Sequence, residues 1–395
     1  MASETNGTNG NGKNGGSSTD PVLVVVQLSG GNDFMNTVIP YGDPFYYDFR
    51  KTVGVKEENV LKIDNNFGLH PSLGPIKTMY DAGDVAIVSG IGYPVPDRSH
   101  FRSMDIWHTA EPSTVIAEGW LGRVIRELDP SQQNVCTGVS FGQGLPRAMY
   151  LMGTPAISVA QLEGYGLLTS IAGERQRKAL NAFQRMYVPE EIDEASMVLN
   201  HIGQTGIDAM TGAEMLAVAP ERYKSTIEYG DDALSQSLKG IAQVHTADIG
   251  TRVFYAQLPG FDTHGAQIAT QAGLLSNLAI SISDFFDDLR EHSASDNVIM
   301  MVFTEFGRRV RDNGNGTDHG SAGGAFLIGD RVKGGFYAEY PSLDPANHLS
   351  GDLHFNNDFR SLYSTILDGY FGIAPEPIVN GKFEQFNGMF ESAGV

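Results

Sequence analysis

The chain holds a single cysteine, Cys136, among 395 residues. That excludes an intrachain disulfide and any zinc site built on cysteine thiolates. A metal would have to be held by Asp, Glu, His, Asn or hydroxyl ligands. Basic residues are also scarce: 27 Lys and Arg stand against 47 Asp and Glu, a formal net charge of -20 with a pI near 4.8. Phosphate backbones and anionic bilayers repel such a surface, which argues against nucleic acid or a membrane surface as a general partner. Small anionic substrates stay admissible, because Arg98, Arg102, Arg308, Arg309 and Arg311 would offset the field locally. Long hydrophobic runs are missing too, so no segment reads as a membrane span. The first twenty residues are rich in Gly, Asn, Ser and Thr and lack both the apolar core of a secretory signal and a twin arginine. They are expected to form a disordered leader (1–20), and the protein is expected in the cytoplasm unless exported by other means.

What remains is ordinary for a globular protein, with 41% apolar and 19% charged residues, enough to build one large α/β domain over 21–395. Val22 to Leu28 is a continuous apolar run, the pattern of a parallel strand buried on both faces. Val85–Ser89, Arg252–Leu258, Asn297–Thr304 and Ala325–Ile328 read as further strands. Helical patterns fall near Pro44–Lys51, Ser72–Ala82, Phe101–His108, Trp120–Leu128, Gly273–Glu291 and Asp358–Tyr370. About 173–244 is mostly helical in pattern and is expected as an insertion or cap. Strands alternating with helices predict a mostly parallel central sheet covered on both faces.

In open α/β sheets, sites gather at the carboxyl ends of the strands. The strand exits here carry Asn32 and Asp33, Ser99 and His100, Asp262 and His264, and Glu305, while Asp318 and His319 follow on a Gly-rich loop. Carboxylates and imidazoles together suit a divalent cation. Plainer roles compete for the same residues. Asp33 would fix the Gly30-Gly31 turn through an Asx bond, Ser99 would only cap a helix, and Glu305 would only pair with Arg308 or Arg309. His201, His245 and His292 lie in helical patterns without acidic partners at ligand spacing. A Gly-x-Ser-x-Gly elbow and a P-loop are absent.

Several ordered motifs carry a resemblance: Ser29-Gly30-Gly31-Asn32-Asp33, Phe67-Gly68-Leu69-His70-Pro71, Gly92-Tyr93-Pro94 running to Ser99-His100-Phe101, Gly119-Trp120-Leu121-Gly122, Phe261-Asp262-Thr263-His264, Glu305-Phe306-Gly307-Arg308 and Thr317-Asp318-His319-Gly320. Over nearly everything after residue 21 the chain resembles domain-of-unknown-function family 1501, a bacterial group placed with the alkaline-phosphatase and sulfatase superfamily. The resemblance implies an alkaline-phosphatase-like α/β fold with metal ligands and a hydroxyl nucleophile at strand ends. It implies Ser99 as nucleophile and Asp262, His264 and His319 as metal ligands, with Asp33 or Asn32 standing for the first-strand aspartate. Glu305 falls where that superfamily usually has Asp-His, and Phe306 replaces the histidine. These departures leave open a two-zinc site, a single hard cation, or no metal. Many relatives resemble twin-arginine exports, and this chain lacks that signal.

The expectation is therefore a divalent-metal hydrolase (Zn, Mn, Ca or Mg) of a small phosphate or sulfate ester, with Ser99 attacking phosphorus or sulfur. Asp33, Asp262, His264, Glu305, Asp318 and His319 would serve the metal. Arg98 or Arg308 would grip the equatorial oxygens, His100 would protonate the leaving group, and Gly31 and Asn32 would line the substrate. The alternative is a fold that has lost catalysis and binds an anionic ligand or a protein. A metal-independent serine hydrolase stands third.

Overall fold

A computed structural model of the protein describes residues 19–162 and 194–391, and between them Tyr165, Glu174, Arg175, Lys178 and Ala182. Most of the expected leader and the first part of the expected insertion lie outside the described residues. The architecture is a mixed, mostly parallel sheet with helices on both faces. Its strands are β1 (Val22–Ser29), β5 (Val85–Gly92), β6 (Gly138–Phe141), β7 (Ile157–Val159), β8 (Val253–Pro259), β9 (Val298–Thr304), β10 (Gly323–Ile328), β11 (Gly335–Tyr337) and β12 (Asn357–Asp358). The spatial order is β11-β5-β10-β9-β1-β8-β6-β7, with β12 also on β5. Only β10 runs against its neighbours. A small antiparallel sheet joins β2 (Val38–Ile39), β3 (Leu61–Lys62) and β4 (Gly68–Leu69).

β1 lies between β8 and β9 with helices over both faces, which explains why its run is apolar but for Gln27. Val22, Val24, Val26 and Leu28 pack on one side with helices Gly74–Ala82, Ala233–Thr246 and Gln267–Glu291. Leu23 and Val25 pack on the other with His100–Thr109, Trp120–Leu128 and Phe359–Ile366.

Three features depart from the pattern reading. Helix Gln267–Glu291 starts well before Gly273. Its first turns carry Gln267 and Gln271, polar but buried, so the apolar periodicity begins late. Helix Ala233–Thr246, expected within the cap, packs on Gln267–Glu291 and on β6 and β8, and so belongs to the layer covering the sheet. The helix expected over Asp358–Tyr370 is α-helical only over Phe359–Ile366 and then widens into a π turn, Leu367–Phe371, which ends at Gly372 with φ 69. Among the described residues no helix is long and apolar enough to cross a membrane.

Candidate metal centre

The carboxyl ends of β1, β5, β8 and β9 and the start of β10 share one rim of the sheet, and their exits meet there. The β1 exit is shaped by two glycines. Gly30 has φ +118 and Gly31 φ +75, and a Cβ on Gly31 would run into the Phe306 ring. The tight turn lets the backbone of β1 approach the β8 and β9 exits directly. Gly30 N–H donates to Glu305 Oε1 (2.9 Å), and Phe261 N–H donates to Ser29 O (3.1 Å).

Three histidines converge on Asp262. His100 Nε2 lies 3.4 Å from Asp262 Oδ2, while His264 Nε2 and His319 Nε2 each lie 3.0 Å from Oδ1. The ligand atoms of His100, Asp262 and His319 all fall within 4.8 Å of one another. The opposite nitrogen of each ring is held by an acceptor: His100 Nδ1 by Glu305 Oε1 (2.8 Å), His264 Nδ1 by Asp318 Oδ1 (3.0 Å), and His319 Nδ1 by the Arg98 carbonyl (2.8 Å). With Nδ1 donating, each Nε2 presents a lone pair toward Asp262. His100 Nε2 is buried and has no hydrogen-bond partner. His264 Nε2 and His319 Nε2 stand 2.9 Å apart.

Lone pairs and a carboxylate facing one another repel unless a cation sits among them. A tetrahedral ion with bonds of ~2.0–2.1 Å holds its ligand atoms about 3.3 Å apart, close to the 3.0–3.4 Å between each Nε2 and the Asp262 carboxylate. His100, Asp262 and His319 are therefore a donor set that could hold a divalent metal, with His264 alongside. Nδ1 partners that fix tautomer and orientation are the usual surroundings of histidine ligands. Phe306 packs against the rings of both His100 (5.0 Å between centroids) and His319 (4.9 Å) and so walls both.

The electrostatics agree. The Glu305 carboxylate raises the pKa of His100 against the opposing effect of burial. Burial pushes the Asp262 carboxyl up, but the hydrogen-bonded Arg308 guanidinium outweighs it and holds it well below the usual range. The bond from His264 lowers Asp318.

Several expected site residues are placed differently. Asp33 is buried away from the cluster, its carboxylate bound by Arg50, with Arg50 Nη2 at 3.0 Å from Oδ1, and by Gln267 Nε2 at 2.6 Å. Asn32 turns inward to Thr37 (2.9 Å) and Gln271 (3.2 Å), away from any substrate. Glu305 and Asp318 partner histidines instead of offering themselves as ligands. Each nitrogen of the buried Arg308 guanidinium already has an acceptor, among the carbonyls of Gly30, Gly31, Phe261 and Thr317 and Asp262 Oδ1 (2.7 Å), so it ties the strand exits together instead of standing open to substrate oxygens. Arg98 is committed to Asp352 through Nε (3.0 Å) and Nη2 (2.5 Å). His100, expected as a proton donor, occupies a ligand position. Ser99 is exposed at the N-cap of helix His100–Thr109, makes no side-chain capping bond, and lies between Arg98, whose carbonyl holds His319, and His100 itself.

A second polar cluster went unforeseen. Gln27 Oε1 receives the Tyr255 hydroxyl and lies 2.8 Å from His108 Nε2, all three buried. Gln27 inside an apolar strand was the available signal, since a buried amide needs partners. His292, expected to lack an acidic partner, has Nδ1 3.2 Å from Asp288 Oδ1.

Residues 20–367 match the family model described as "Protein of unknown function (DUF1501)", and the chain belongs to that family. No curated protein matches it. Among solved structures it is similar to a 2-O GAG sulfatase (11% identity, TM-score 0.35, covering 93% of this chain and 76% of that one). It is also similar to a protein of the alkaline phosphatase superfamily from Vibrio parahaemolyticus (11%, TM-score 0.37, 92% and 69%). A third is the zinc complex of the C-terminal periplasmic domain of EcEptC from Escherichia coli (9%, TM-score 0.38, 80% and 75%).

Proposed function

We propose that this member of the DUF1501 family is a metal-dependent hydrolase of phosphate or sulfate esters. The observation that carries the reading is the convergence of His100, His264 and His319 Nε2 on Asp262, each ring steered from its other nitrogen. A divalent cation bound there would supply a Lewis acid beside the exposed serine. Asp262 and the histidines would hold it, Glu305, Asp318 and the Arg98 carbonyl orient the rings, and the buried Arg308 keeps Asp262 ionised. Ser99 Oγ forms a bond to phosphorus or sulfur as the bond to the ester oxygen breaks. The leaving alcohol departs with the proton that the serine gives up. Water then cleaves the seryl ester, restoring Ser99 and releasing inorganic phosphate or sulfate. The helix N-terminus behind Ser99 favours the anionic group.

The test is elemental analysis of purified protein, followed by turnover of aryl phosphates and sulfates by stripped protein refilled with Zn, Mn, Mg or Ca. Stoichiometric metal and activity lost in Ser99→Ala support the reading. Activity equal to the Ser99→Ala control with every metal refutes it. A non-catalytic binding module is the second reading, favoured by the Arg308 guanidinium on Asp262 Oδ1 and by the withdrawal of Asp33 into an ion pair. Its signature is metal-dependent oxyanion binding without turnover.

A further inference from the structure

Two apolar residues close to Ser99 in the chain stand in open solvent. Phe101, directly after His100, is 91% exposed, and Val95, on the loop leading to Ser99, is 90% exposed. Isolated exposed apolar residues are commonplace. These two are unusual in how firmly they are presented. Val95 has φ 55, a costly conformation for a β-branched residue. Its loop is pinned on every side: the Tyr93 hydroxyl receives Asp97 N–H (3.2 Å), Ser103 Oγ donates to Asp97 O (2.6 Å), and Arg98 is anchored to Asp352 and His319. Pro94 and Pro96 enclose Val95 and stiffen it further. Beyond His264, Ile268 is 60% exposed in the first turn of the next helix.

The charges leave a need for such contacts. The protein carries a net charge of -20, and Arg98 and Arg308 are already engaged with Asp352 and Asp262. An anionic ester therefore finds Arg98 and Arg308 already paired, and contact with the organic half of the substrate would add binding energy beyond the metal. We propose that this half is an apolar group, with Phe101 as its principal contact and Val95 beside it, so that these residues set specificity at the site. This rests on the ester-hydrolase reading. A rigid apolar rim binds without paying an ordering cost at the moment of contact.

The experiment is calorimetric titration of metal-loaded protein with phenylphosphonate and with methylphosphonate, which share the anionic group and differ in the organic one. The wild type should bind phenylphosphonate roughly five- to tenfold more tightly. Phe101→Ser should erase that preference while leaving methylphosphonate affinity unchanged, and Val95→Ser should reduce it. Equal affinities in the wild type, a preference that survives Phe101→Ser, or no binding of either phosphonate overturns the proposal. A phosphonate preference lost in Phe101→Ser, together with no turnover of any ester, overturns the hydrolase reading alone. Turnover with no such preference overturns the rim alone. Aryl and alkyl-chain esters of matched charge then distinguish a ring from a lipid-like chain as the natural group.

Discussion

Replacing Asp33 by Asn separates a structural carboxylate from a metal-binding one. Asp33 is 1% exposed and its partner Arg50 2%. Arg50 also donates to the carbonyls of Val310 (2.7 Å) and Arg309 (2.9 Å), but those are dipoles, and only Asp33 neutralises its charge at contact distance. An Asn side chain keeps the shape and removes the charge, leaving a guanidinium buried without its counter-ion. Breaking a buried pair from one side costs about 3–5 kcal/mol. Asp33→Asn should lower the unfolding free energy in urea by that amount, and the double variant Asp33→Leu/Arg50→Met should recover part of it, because both charges then leave together. Metal content should be unchanged in folded Asp33→Asn and lost in Asp262→Asn. Asp33→Asn protein of wild-type stability, or with its metal gone while stability stays intact, would refute the assignment of Asp33 to the Arg50 pair.

Glu305→Gln should weaken metal binding about 10- to 100-fold, measured by competition with a chelator, with the fold retained, since the amide oxygen still accepts from Gly30 N–H while the carboxylate charge on His100 is gone. Gly31→Ala forces a left-handed alanine at φ +75 and drives its Cβ into Phe306, so it should cost at least ~1–2 kcal/mol in urea unfolding and also weaken metal binding by displacing the ring that walls His100 and His319. Burial holds His70 and His108 down to a pKa of about 4 from 6.5. Between those pH values the unfolded chain binds the protons and the native one does not, so stability falls as pH falls from 6.5 to 4, by ~3 kcal/mol for each histidine. Urea unfolding across that window should show the slope, and His108→Gln should flatten it.

The fold was legible because its signals are local. An apolar run such as Val22–Leu28 has one low-energy use, as an inner parallel strand, and the structure places it between β8 and β9. The strand-exit argument reached Asp262, His264 and His319 for the same reason: each follows a strand or precedes one, and parallel strands bring their ends to one rim. The polar helix start at Gln267 stayed hidden because its side chains are buried by hydrogen bonding, to Asp33 and Thr317, and periodicity registers only apolar burial.

What the residues around the cluster do was harder to read than where they lie, because their roles are fixed across loops far apart in the chain. Asp33 and Glu305 are both acids just past strands, yet one meets Arg50 from the end of a short helix and the other meets His100 from the exit of β5. Nothing adjacent to either acid announces its partner. Arg308 has the same ambiguity with the opposite sign. A surface arginine would be free to grip an anion, but the close approach allowed by Gly30 and Gly31 surrounds this one with four carbonyl groups, and its charge is spent on Asp262. The same close approach brings Gly30 N–H to Glu305 and thereby aims His100. The glycine pair after β1 thus does more for the His–Asp cluster than the aspartate that follows it: it sets how near the exits come, and that distance decides which acids face the cluster and which support it.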